Sequence, residues 1–316
     1  MATLQQTNIV QPGQVVAAGG WNAIFENDHP LNFEIGIGGG DFILALGERH
    51  PNENFVGVDI AGKYLRKAAR KAARRGLTNI RFMTSEAKAL LYEVFVHESL
   101  QAVYINFPDP WPKKGHEKRR LFDEHFIELV EDRLEPEGYI YLGTDVPEYA
   151  EQAYEALSSS SILANAYASP WLHDRAWTGL ETKYEQKWKA LGKPCFYLAF
   201  RKARGLRTPR YEMAYETFEP FDLGSLDLEE AAKRLDQPHD TYGKYIVKPM
   251  RLRLEHGKPM VKILLIDKVH GHRDFLHGLL RSEGDRLVYD IQNRDEIVWT
   301  EAKRRVLSRF FEQVVG

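Results

Sequence analysis

A strand, a glycine-rich turn and a helix follow one another between residues 31 and 46, and this order constrains the fold more than any other feature of the chain. Residues 31–35 (LNFEI) have the apolar content of a buried strand, and residues 36–40 (GIGGG) form the turn. Residues 42–46 continue with the apolar spacing of a helix. Glycines in such a turn let the backbone approach a ligand closely, because no Cβ intervenes.

The alternation of strands and helices continues through the first two thirds of the chain. Further strand-like runs lie at residues 54–58, 80–83, 102–105, 139–142, 162–168 and 196–201, and helical patterns lie at residues 120–134 and 148–157. The last two runs are expected to form a terminal antiparallel pair. This order predicts an α/β fold with a doubly wound, mostly parallel, seven-stranded and Rossmann-like sheet.

Acidic residues next to the turn indicate which ligand it binds. A dinucleotide fingerprint requires glycine or alanine where Asp41 stands, so the match to that motif fails. Glu34, on the strand before the turn, suits a cationic amino group better than a pyrophosphate. Asp59 ends the second strand about 20 residues past the turn, where a carboxylate accepts both ribose hydroxyls. S-adenosylmethionine combines a ribose with a charged aminoacyl tail, so the sequence favours it as the ligand.

Residues 106–114 (NFPDPWPKK) end a buried strand with a proline-locked loop. The loop presents Asp109 at the carboxyl end of the strand, the end at which open α/β sheets bind ligands. Trp111 beside a carboxylate and two lysines offers base stacking, an acceptor for a base edge and phosphate binding, a combination that suits nucleic acid. The alternative is a proline-rich turn with a solvated basic edge.

Four separated motifs together make the chain resemble the bacterial tRNA (guanine-N7-)-methyltransferase family. They are residues 34–38 (EIGIG), residues 106–120 from the proline loop to the KRR run, residues 144–145 (TD) and residues 182–185 (TKYE). The resemblance covers residues 10–203. It implies transfer of a methyl group from S-adenosylmethionine to N7 of a guanosine in tRNA, in the variable loop.

The resemblance also implies roles for individual residues. Asp109 is implied as the catalytic carboxylate. The residues implied at the donor site are Glu34, Gly36, Gly38, Asp59, Glu86 and Asn106. Those implied to bind substrate are Lys113, Asp145, Thr182, Lys183, Tyr184 and Glu185. Glu86, which follows the third strand, is equally explained as a first-turn charge favoured by a helix dipole.

Two other classes of protein remain as alternatives. A nicotinamide-dependent oxidoreductase would use the same strand, turn and helix, but the missing third glycine counts against it. A non-catalytic RNA-binding subunit is the other alternative, and the presence of Glu34, Asp59 and Asp109 counts against that. Titration with NADH and S-adenosylmethionine separates the first alternative from a methyltransferase.

Composition indicates an enzyme of a reducing compartment. Cys195 is the only cysteine, so an intramolecular disulfide is impossible. No run approaches the ~20 apolar residues of a membrane span, so we expect a cytoplasmic protein without membrane contact. The sequence leaves monomer and homodimer open. The net charge is −2, but residues 63–75 concentrate cations on one helical stretch, which is either a solvated face or an RNA contact.

The last third of the chain predicts a separate domain. We expect a methyltransferase domain over residues 1–204 and a C-terminal α+β domain of unknown role over residues 205–316, with a linker at residues 204–210. Strands are predicted at residues 245–254 and 260–269, and helices at residues 226–235, 272–280 and 300–315. The three histidines His256, His270 and His272 lack the cysteines or clustered carboxylates that would frame a metal site, so no metal is predicted.

Overall fold

The computed structural model describes residues 8–109, 121–173, 178–206, 208–210, 215, 218–235, 240–250, 252–255, 258–269 and 272–316. The described residues within Met1–Val10 and Ala18–Glu212 form one compact unit, and those within Gln11–Ala17 and Met213–Gly316 form a second. The division between domains that the sequence predicts, at residues 204 and 205, stays a prediction.

The first unit contains a seven-stranded sheet in the order β3-β2-β1-β4-β5-β7-β6. Its strands are β1 (Leu31–Ile35), β2 (Asn54–Asp59), β3 (Ile80–Thr84), β4 (Leu100–Asn106), β5 (Leu134–Thr144), β6 (Leu163–Asn165) and β7 (Phe196–Lys202). Neighbours from β3 to β5 are parallel, and β7 is antiparallel to both β5 and β6. The predicted doubly wound sheet and its terminal antiparallel pair are therefore confirmed.

Helices flank these strands, and the sequence predicts the ones that correspond to residues 42–46, 63–75, 120–134 and 148–157, whereas the helices at residues 21–25 and 183–190 are not predicted. The helices of this unit are α2 (Trp21–Phe25), α3 (Asp41–Arg49), α4 (Gly62–Arg74), α5 (Ala87–Glu93), α6 (Glu124–Arg133), α7 (Pro147–Ser158) and α8 (Lys183–Ala190). The strands are buried on both faces, as in Phe33, Val56 and Ile105, which have 0% exposure. Strands covered on both faces read as continuous apolar runs, which explains why the sequence locates them well.

The segment predicted as a linker is bonded to the first unit. The backbone N–H of Arg210 donates to Asp132 at 2.6 Å, and its guanidinium pairs with Glu131 at 2.6 Å. The backbone N–H of Leu206 donates to Glu98 at 3.2 Å. These bonds attach the segment to α6 and to the loop before β4, which is why the compact unit extends to Glu212.

The second unit is an antiparallel sheet with helices. Its strands are β8 (Phe221–Asp222), β9 (Asp240–Tyr242), β10 (Tyr245–Pro249), β11 (Arg253–Glu255), β12 (Lys258–Asp267), β13 (Arg273–Glu283) and β14 (Arg286–Ile291). Its helices are α9 (Leu228–Leu235) and α10 (Glu301–Val315), joined by most of α1 (Pro12–Ala18) from the N-terminal part of the chain. The sheet order is β8-β14-β13-β12-β10-β9, with β11 paired to β12.

One predicted element of this unit is wrong. The sequence predicts a helix at residues 272–280, but β13 occupies that stretch. Alternate residues Asp274, Leu276 and Leu280 are buried, which is the period of two that a strand produces. The predicted helices at residues 226–235 and 300–315 are confirmed as α9 and α10.

Candidate active site

The carboxyl ends of β1, β2, β4 and β5 lie side by side, because these strands are neighbours and run in the same direction. The chain order reverses at β1, whose neighbours are β2 on one side and β4 on the other. Ligands of open α/β sheets bind in the crevice at such a reversal. The topology brings five of the predicted residues to this edge: Glu34, Asp59, Asn106, Asp109 and Asp145.

The glycine turn is tied to β2 and opens outward. The backbone N–H groups of Gly36 and Ile37 both donate to the carbonyl of Val58, at 2.9 and 3.2 Å. Gly36 and Gly38 have φ values of 76° and 47°, and a Cβ built on either would meet nothing within 4 Å. The turn therefore requires glycine for its backbone conformation and leaves open space on its outer side.

Gly40 is required for a different reason. It has a φ of 75°, and a Cβ there would lie 2.5 Å from the Cβ of Ala68 on α4. Lys71 of the same helix donates to the carbonyl of Gly39 at 2.8 Å and to Asp41 at 2.6 Å. Helix α4 thus holds the end of the turn by close packing and by an ion pair.

Asp59 fixes the turn from β2. Its Oδ2 accepts a hydrogen bond from the Gly38 N–H at 3.0 Å, and its Oδ1 accepts one from the Ala61 N–H at 2.8 Å. Each carboxylate oxygen keeps a second lone-pair direction after these bonds. Asp59 is therefore oriented by two backbone donors and retains acceptor capacity for a pair of hydroxyls.

Glu34 and Asn106 meet across the reversal point. The Asn106 side chain donates to Glu34 Oε1 at 3.0 Å, which joins the ends of two neighbouring strands through residues 72 positions apart. Glu34 is only 3% exposed. Tyr104 lies beside it on β4, where burial, together with the nearby Tyr141, Glu53 and Glu34, raises the pKa of the phenol. A buried carboxylate of this kind suits a cationic ligand group.

The loop after β4 turns sharply at Phe107, which has a φ of 48°. Its N–H donates to the Gly143 carbonyl of β5 at 2.7 Å, so the turn is pinned to the next strand. A left-handed conformation at a residue other than glycine costs about 1–3 kcal/mol and clusters at functional sites. Asp109 follows two residues later with an exposed side chain. Nothing in the composition of the loop signalled this conformation.

Glu86 and Asp145 are the remaining predicted carboxylates at this edge of the sheet. We call it the acidic edge, because it also carries Glu34, Asp59 and Asp109. Glu86 stands at the N-cap of α5 without capping it through its side chain, and that side chain is exposed. Asp145 follows the last residue of β5 and is half-buried. The exposed carboxylate of Glu86 leaves both interpretations open, as a helix charge and as a donor-site residue.

The residues predicted to bind substrate divide into two groups. Thr182 accepts from the Glu185 N–H at 3.1 Å, and Glu185 accepts from the Thr182 N–H at 3.3 Å, which forms a capping box at the start of α8. Thr182 and Glu185 are buried. Lys113 and the side chains of Lys183 and Tyr184 lie outside the described residues.

Cys195 lies close to both the segment at residues 182–185 and the acidic edge. Burial raises the pKa of its thiol, and the carboxylates of Glu185 and Asp145 raise it further, whereas a hydrogen bond with Tyr197 lowers it. Both carboxylates therefore lie within electrostatic reach of one sulfur atom. Lys189 of α8 and Cys195 line one pocket, and the next residue, Phe196, pairs with Thr144 at the end of β5, so α8 lies near that end although the Glu185 carboxylate is engaged in the cap.

Ile60 is a feature of the site that the sequence did not single out. It follows Asp59 directly and is 76% exposed, which is unusual for a large apolar side chain. It offers an apolar surface next to the carboxylate predicted to hold a ribose. The signal in the sequence is an apolar residue placed immediately after the acidic end of a strand.

The residues at this edge fit S-adenosylmethionine. The open outer side of Gly36 and Gly38 leaves room for a ligand against the backbone. Glu34 is a buried carboxylate for a cationic group, and Asp59 is an oriented acceptor beside the apolar Ile60. This set matches the ammonium, the ribose hydroxyls and the purine ring of that molecule in chemical type.

A cavity of about 370 Å³ lies in the first unit. Asn32, Gln101 and Tyr139 are among its lining residues, and they lie toward the amino ends of β1, β4 and β5. Tyr104, the neighbour of Glu34 in the sheet, also lines this cavity, so the cavity extends from the amino ends of the strands toward the acidic edge. Among the described residues, no helix combines the length and apolarity required to cross a bilayer.

Comparison with known proteins decides the family. A family model described as "Putative methyltransferase" matches residues 28–198. A tRNA (guanine-N(7)-)-methyltransferase of Geobacillus sp. is 38% identical over 175 residues, which cover 55% of this chain and 79% of that protein. The chain belongs to the tRNA (guanine-N7-)-methyltransferase family. The resemblance stated from the four motifs is thus confirmed.

Two further relatives carry the same name. The enzyme of the same name from Bacillus subtilis is 35% identical, with 56% of this chain and 83% of that protein covered. The one from Thermotoga maritima is also 35% identical, with 63% of this chain covered and 64% of its own length, just under two thirds. Among solved structures, an antibiotic-related methyltransferase is 19% identical with a TM-score of 0.45, covering 57% of this chain and 92% of that one.

Proposed function

We propose that this chain transfers a methyl group from S-adenosylmethionine to N7 of a guanosine in tRNA, at a site on the acidic edge of the first unit. The observation that supports the proposal most is the Glu34–Asn106 hydrogen bond at the reversal point, with Asp59 oriented beside it. The relatives that match this chain are named for this reaction. We further propose, from the family resemblance, that the guanosine lies in the variable loop.

Methylation at N7 does not require the protein to transfer a proton. N7 of guanine has a lone pair and no hydrogen, so no proton has to be removed before attack. S-adenosylmethionine supplies an electrophilic methyl group on a sulfonium, so the new bond forms from N7 to carbon as the carbon–sulfur bond breaks. The protein must position two bound reactants in line, which contributes roughly 7–11 kcal/mol.

Besides positioning the reactants, the protein must place a negative charge near the purine, and Asp109 supplies it. Positive charge develops on guanine as N7 is alkylated, and a preorganised carboxylate stabilises it. The left-handed turn at Phe107 and its bond to Gly143 hold the start of this loop in place. Asp109 also accepts hydrogen bonds from the guanine edge, which distinguishes guanine from adenine.

The donor side is assigned to the residues of β1, β2 and the glycine turn. We assign Glu34 to the cationic aminoacyl tail, Asp59 to the ribose hydroxyls and Ile60 to one face of the purine. Glu86, exposed at the start of α5, is the candidate partner for the adenine edge. Asp145 and the segment at residues 182–185 remain candidates for the tRNA side, and the cytoplasm is the proposed location.

Transfer of a labelled methyl group tests the proposed reaction. Wild-type protein, labelled S-adenosylmethionine and an unmodified tRNA transcript are incubated, and nuclease digestion maps the labelled nucleotide. We expect N7-methylguanosine at one position of the variable loop. Label on another atom of guanine or on another base would refute the assignment, and parallel titration with NADH excludes or supports the oxidoreductase alternative.

A further inference from the structure

Helix α4 carries an unusual concentration of positive charge. Its 13 residues, GKYLRKAARKAAR, include six cations and no acidic residue. The inward face is made of Leu65, Ala68, Ala69 and Ala72, all buried. Small side chains on that face let the helix pack closely on the sheet, so all of its charge lies on the remaining surface.

Two cations at this helix already have protein partners. Lys71 pairs with Asp41 at 2.6 Å, and Arg75, just past the last helical residue, pairs with Glu48 at 3.1 Å. Both partners belong to α3. These two cations therefore have a structural role, and they account for the side of α4 that faces α3.

Of the five other cations on the helix, Arg66 lies about 40° to one side, and the remaining four form a separate stripe. Lys63, Lys67, Arg70 and Arg74 are spaced by four, three and four residues, so they project within an arc of about 60°. All four side chains are exposed. Within the part of the chain that the structure describes, no ion pair joins any of them to a carboxylate, in contrast to Lys71 and Arg75. We call these four residues the α4 stripe.

The α4 stripe is costly to the isolated protein. Like charges three and four positions apart on a helix repel each other and destabilise it by a few tenths of a kcal/mol per pair. Lys63 also places a cation in the first helical turn, where the helix dipole disfavours it. An anionic partner running along the helix would remove both costs.

The stripe fits the backbone of a nucleic acid in length and position. Its ends are 11 residues apart, which is about 16 Å along a helix. At the spacing of duplex DNA, one charge per 3.4 Å of axis on each strand, that length corresponds to roughly five phosphates. Helix α4 begins at Gly62, three residues after Asp59, so the stripe starts at the proposed donor site and leads away from it.

We propose that the α4 stripe binds the phosphate backbone of the tRNA substrate. This inference rests on the proposed function, because the partner is the substrate of that site. It assigns the contact to charge and not to base recognition, since lysine and arginine on phosphate carry no sequence information. The stripe therefore sets affinity and its salt dependence, and it leaves the choice of guanosine to other residues.

A charge-removed variant of the full chain tests the inference. In Lys63→Gln/Lys67→Gln/Arg70→Gln/Arg74→Gln, glutamine keeps a similar helix propensity. Binding of a labelled, unmodified tRNA transcript is measured by fluorescence anisotropy at several salt concentrations. We expect affinity near physiological salt to fall about tenfold or more, and the slope of log affinity against log salt to become shallower by about two to three. Calorimetric affinity for S-adenosylmethionine should stay within twofold of wild type.

A charge-retaining variant provides the matched control. Lys63→Arg/Lys67→Arg/Arg70→Lys/Arg74→Lys should bind tRNA with the affinity and salt slope of wild type. If the glutamine variant matches wild type in both, or the control loses as much affinity as the glutamine variant, the inference is wrong. Should the fourfold variant not fold, the four single glutamine variants decide it, each expected to lower the slope by about 0.7.

These experiments distinguish a failure of the α4 stripe proposal from a failure of the proposed methyl transfer. A wild-type protein that binds tRNA but never methylates it refutes the proposed reaction, whatever the stripe does. A wild-type protein that methylates tRNA, together with a glutamine variant whose binding is unchanged, refutes only the stripe.

Discussion

Asp59 combines a structural contact with a proposed ligand contact in one side chain. Its two oxygens accept from the N–H groups of Gly38 and Ala61, so the carboxylate holds the glycine turn against β2. The sequence located this residue from its distance to the turn. It did not reveal the two backbone bonds, because they depend on how the turn folds back onto the strand.

We expect Asp59→Ala to weaken S-adenosylmethionine binding by about tenfold or more. The variant removes an acceptor for the ribose and also releases the turn, and hydrogen bonds to charged groups contribute about 1.5–3 kcal/mol each. Calorimetry measures the donor affinity. Affinity for tRNA, measured without donor, serves as the control and should change by less than twofold. A variant that binds the donor as tightly as wild type would remove Asp59 from the site.

At the scale of elements, the glycine turn and α4 are in close contact beside the site. Gly40 faces Ala68 at a distance that leaves no room for a methyl group, and its φ of 75° is left-handed. Gly76 has a similar φ of 66° with nothing within 4 Å. A comparison of substitutions at Gly40 and Gly76 therefore separates the cost of the left-handed backbone from the cost of the steric contact with Ala68.

Gly40→Ala should lower the free energy of unfolding by about 2–5 kcal/mol, the sum of left-handed strain and overpacking. Gly76→Ala should cost only the strain, about 1–2 kcal/mol. Denaturant unfolding measures both. Adding Ala68→Gly to the Gly40→Ala variant should recover part of the lost free energy of unfolding. Ala68→Gly alone should cost about 1 kcal/mol, because glycine has a low helix propensity. Equal losses in the two alanine variants would show that the α4 contact is unimportant.

The capping box of α8 makes a second prediction at this scale. Thr182→Ala should destabilise α8 by about 1 kcal/mol, because the Glu185 N–H loses its acceptor. Thr182→Ser should keep the cap. If Thr182 acts on tRNA only through the helix, Thr182→Ser will keep the wild-type KM for tRNA while Thr182→Ala raises it. A raised KM in the serine variant with an unchanged Tm would indicate direct contact through the methyl group.

How well the sequence predicts an element depends on what the element packs against. The parallel strands are buried almost throughout and mostly apolar, so they stand out, as in β1, whose predicted bounds are confirmed. Residues 272–280 have apolar pairs that fit either a helix or a strand, so periodicity alone did not decide. The bond between Glu34 and Asn106 joins residues 72 positions apart, and only the folded sheet order reveals it.

At the scale of the whole molecule, two compact units carry separate cores. Every described residue assigned to the site lies in the first unit, and a buried cluster including Val247, Ile263, Leu307 and Phe311 belongs to the second. The sequence anticipated a second domain from its change of pattern. It did not anticipate that residues 11–17 join that unit, because a short helix carries no signal of its partner.

A chain limited to residues 1–212 should fold and bind S-adenosylmethionine within threefold of the full-length affinity, because it keeps Asn8 and Val10, whose backbones hydrogen-bond with Phe82 of β3. It keeps the segment that Arg210 bonds to α6, which a chain ending at Lys202 would lose. Calorimetry measures donor binding, and full-length protein is the reference. An insoluble product, or one that no longer binds the donor, would mean that the second unit completes the fold of the first.

Single-turnover methyl transfer by wild type and by Asp109→Asn tests the central claim most directly. With tRNA and S-adenosylmethionine both saturating, the wild type should form N7-methylguanosine, and the variant should form the same product about 10²–10³ times more slowly, because the developing charge on guanine loses its carboxylate. Its Tm and donor affinity should match those of wild type. A variant rate within threefold of wild type, or a wild-type product methylated at any other atom, would contradict the account.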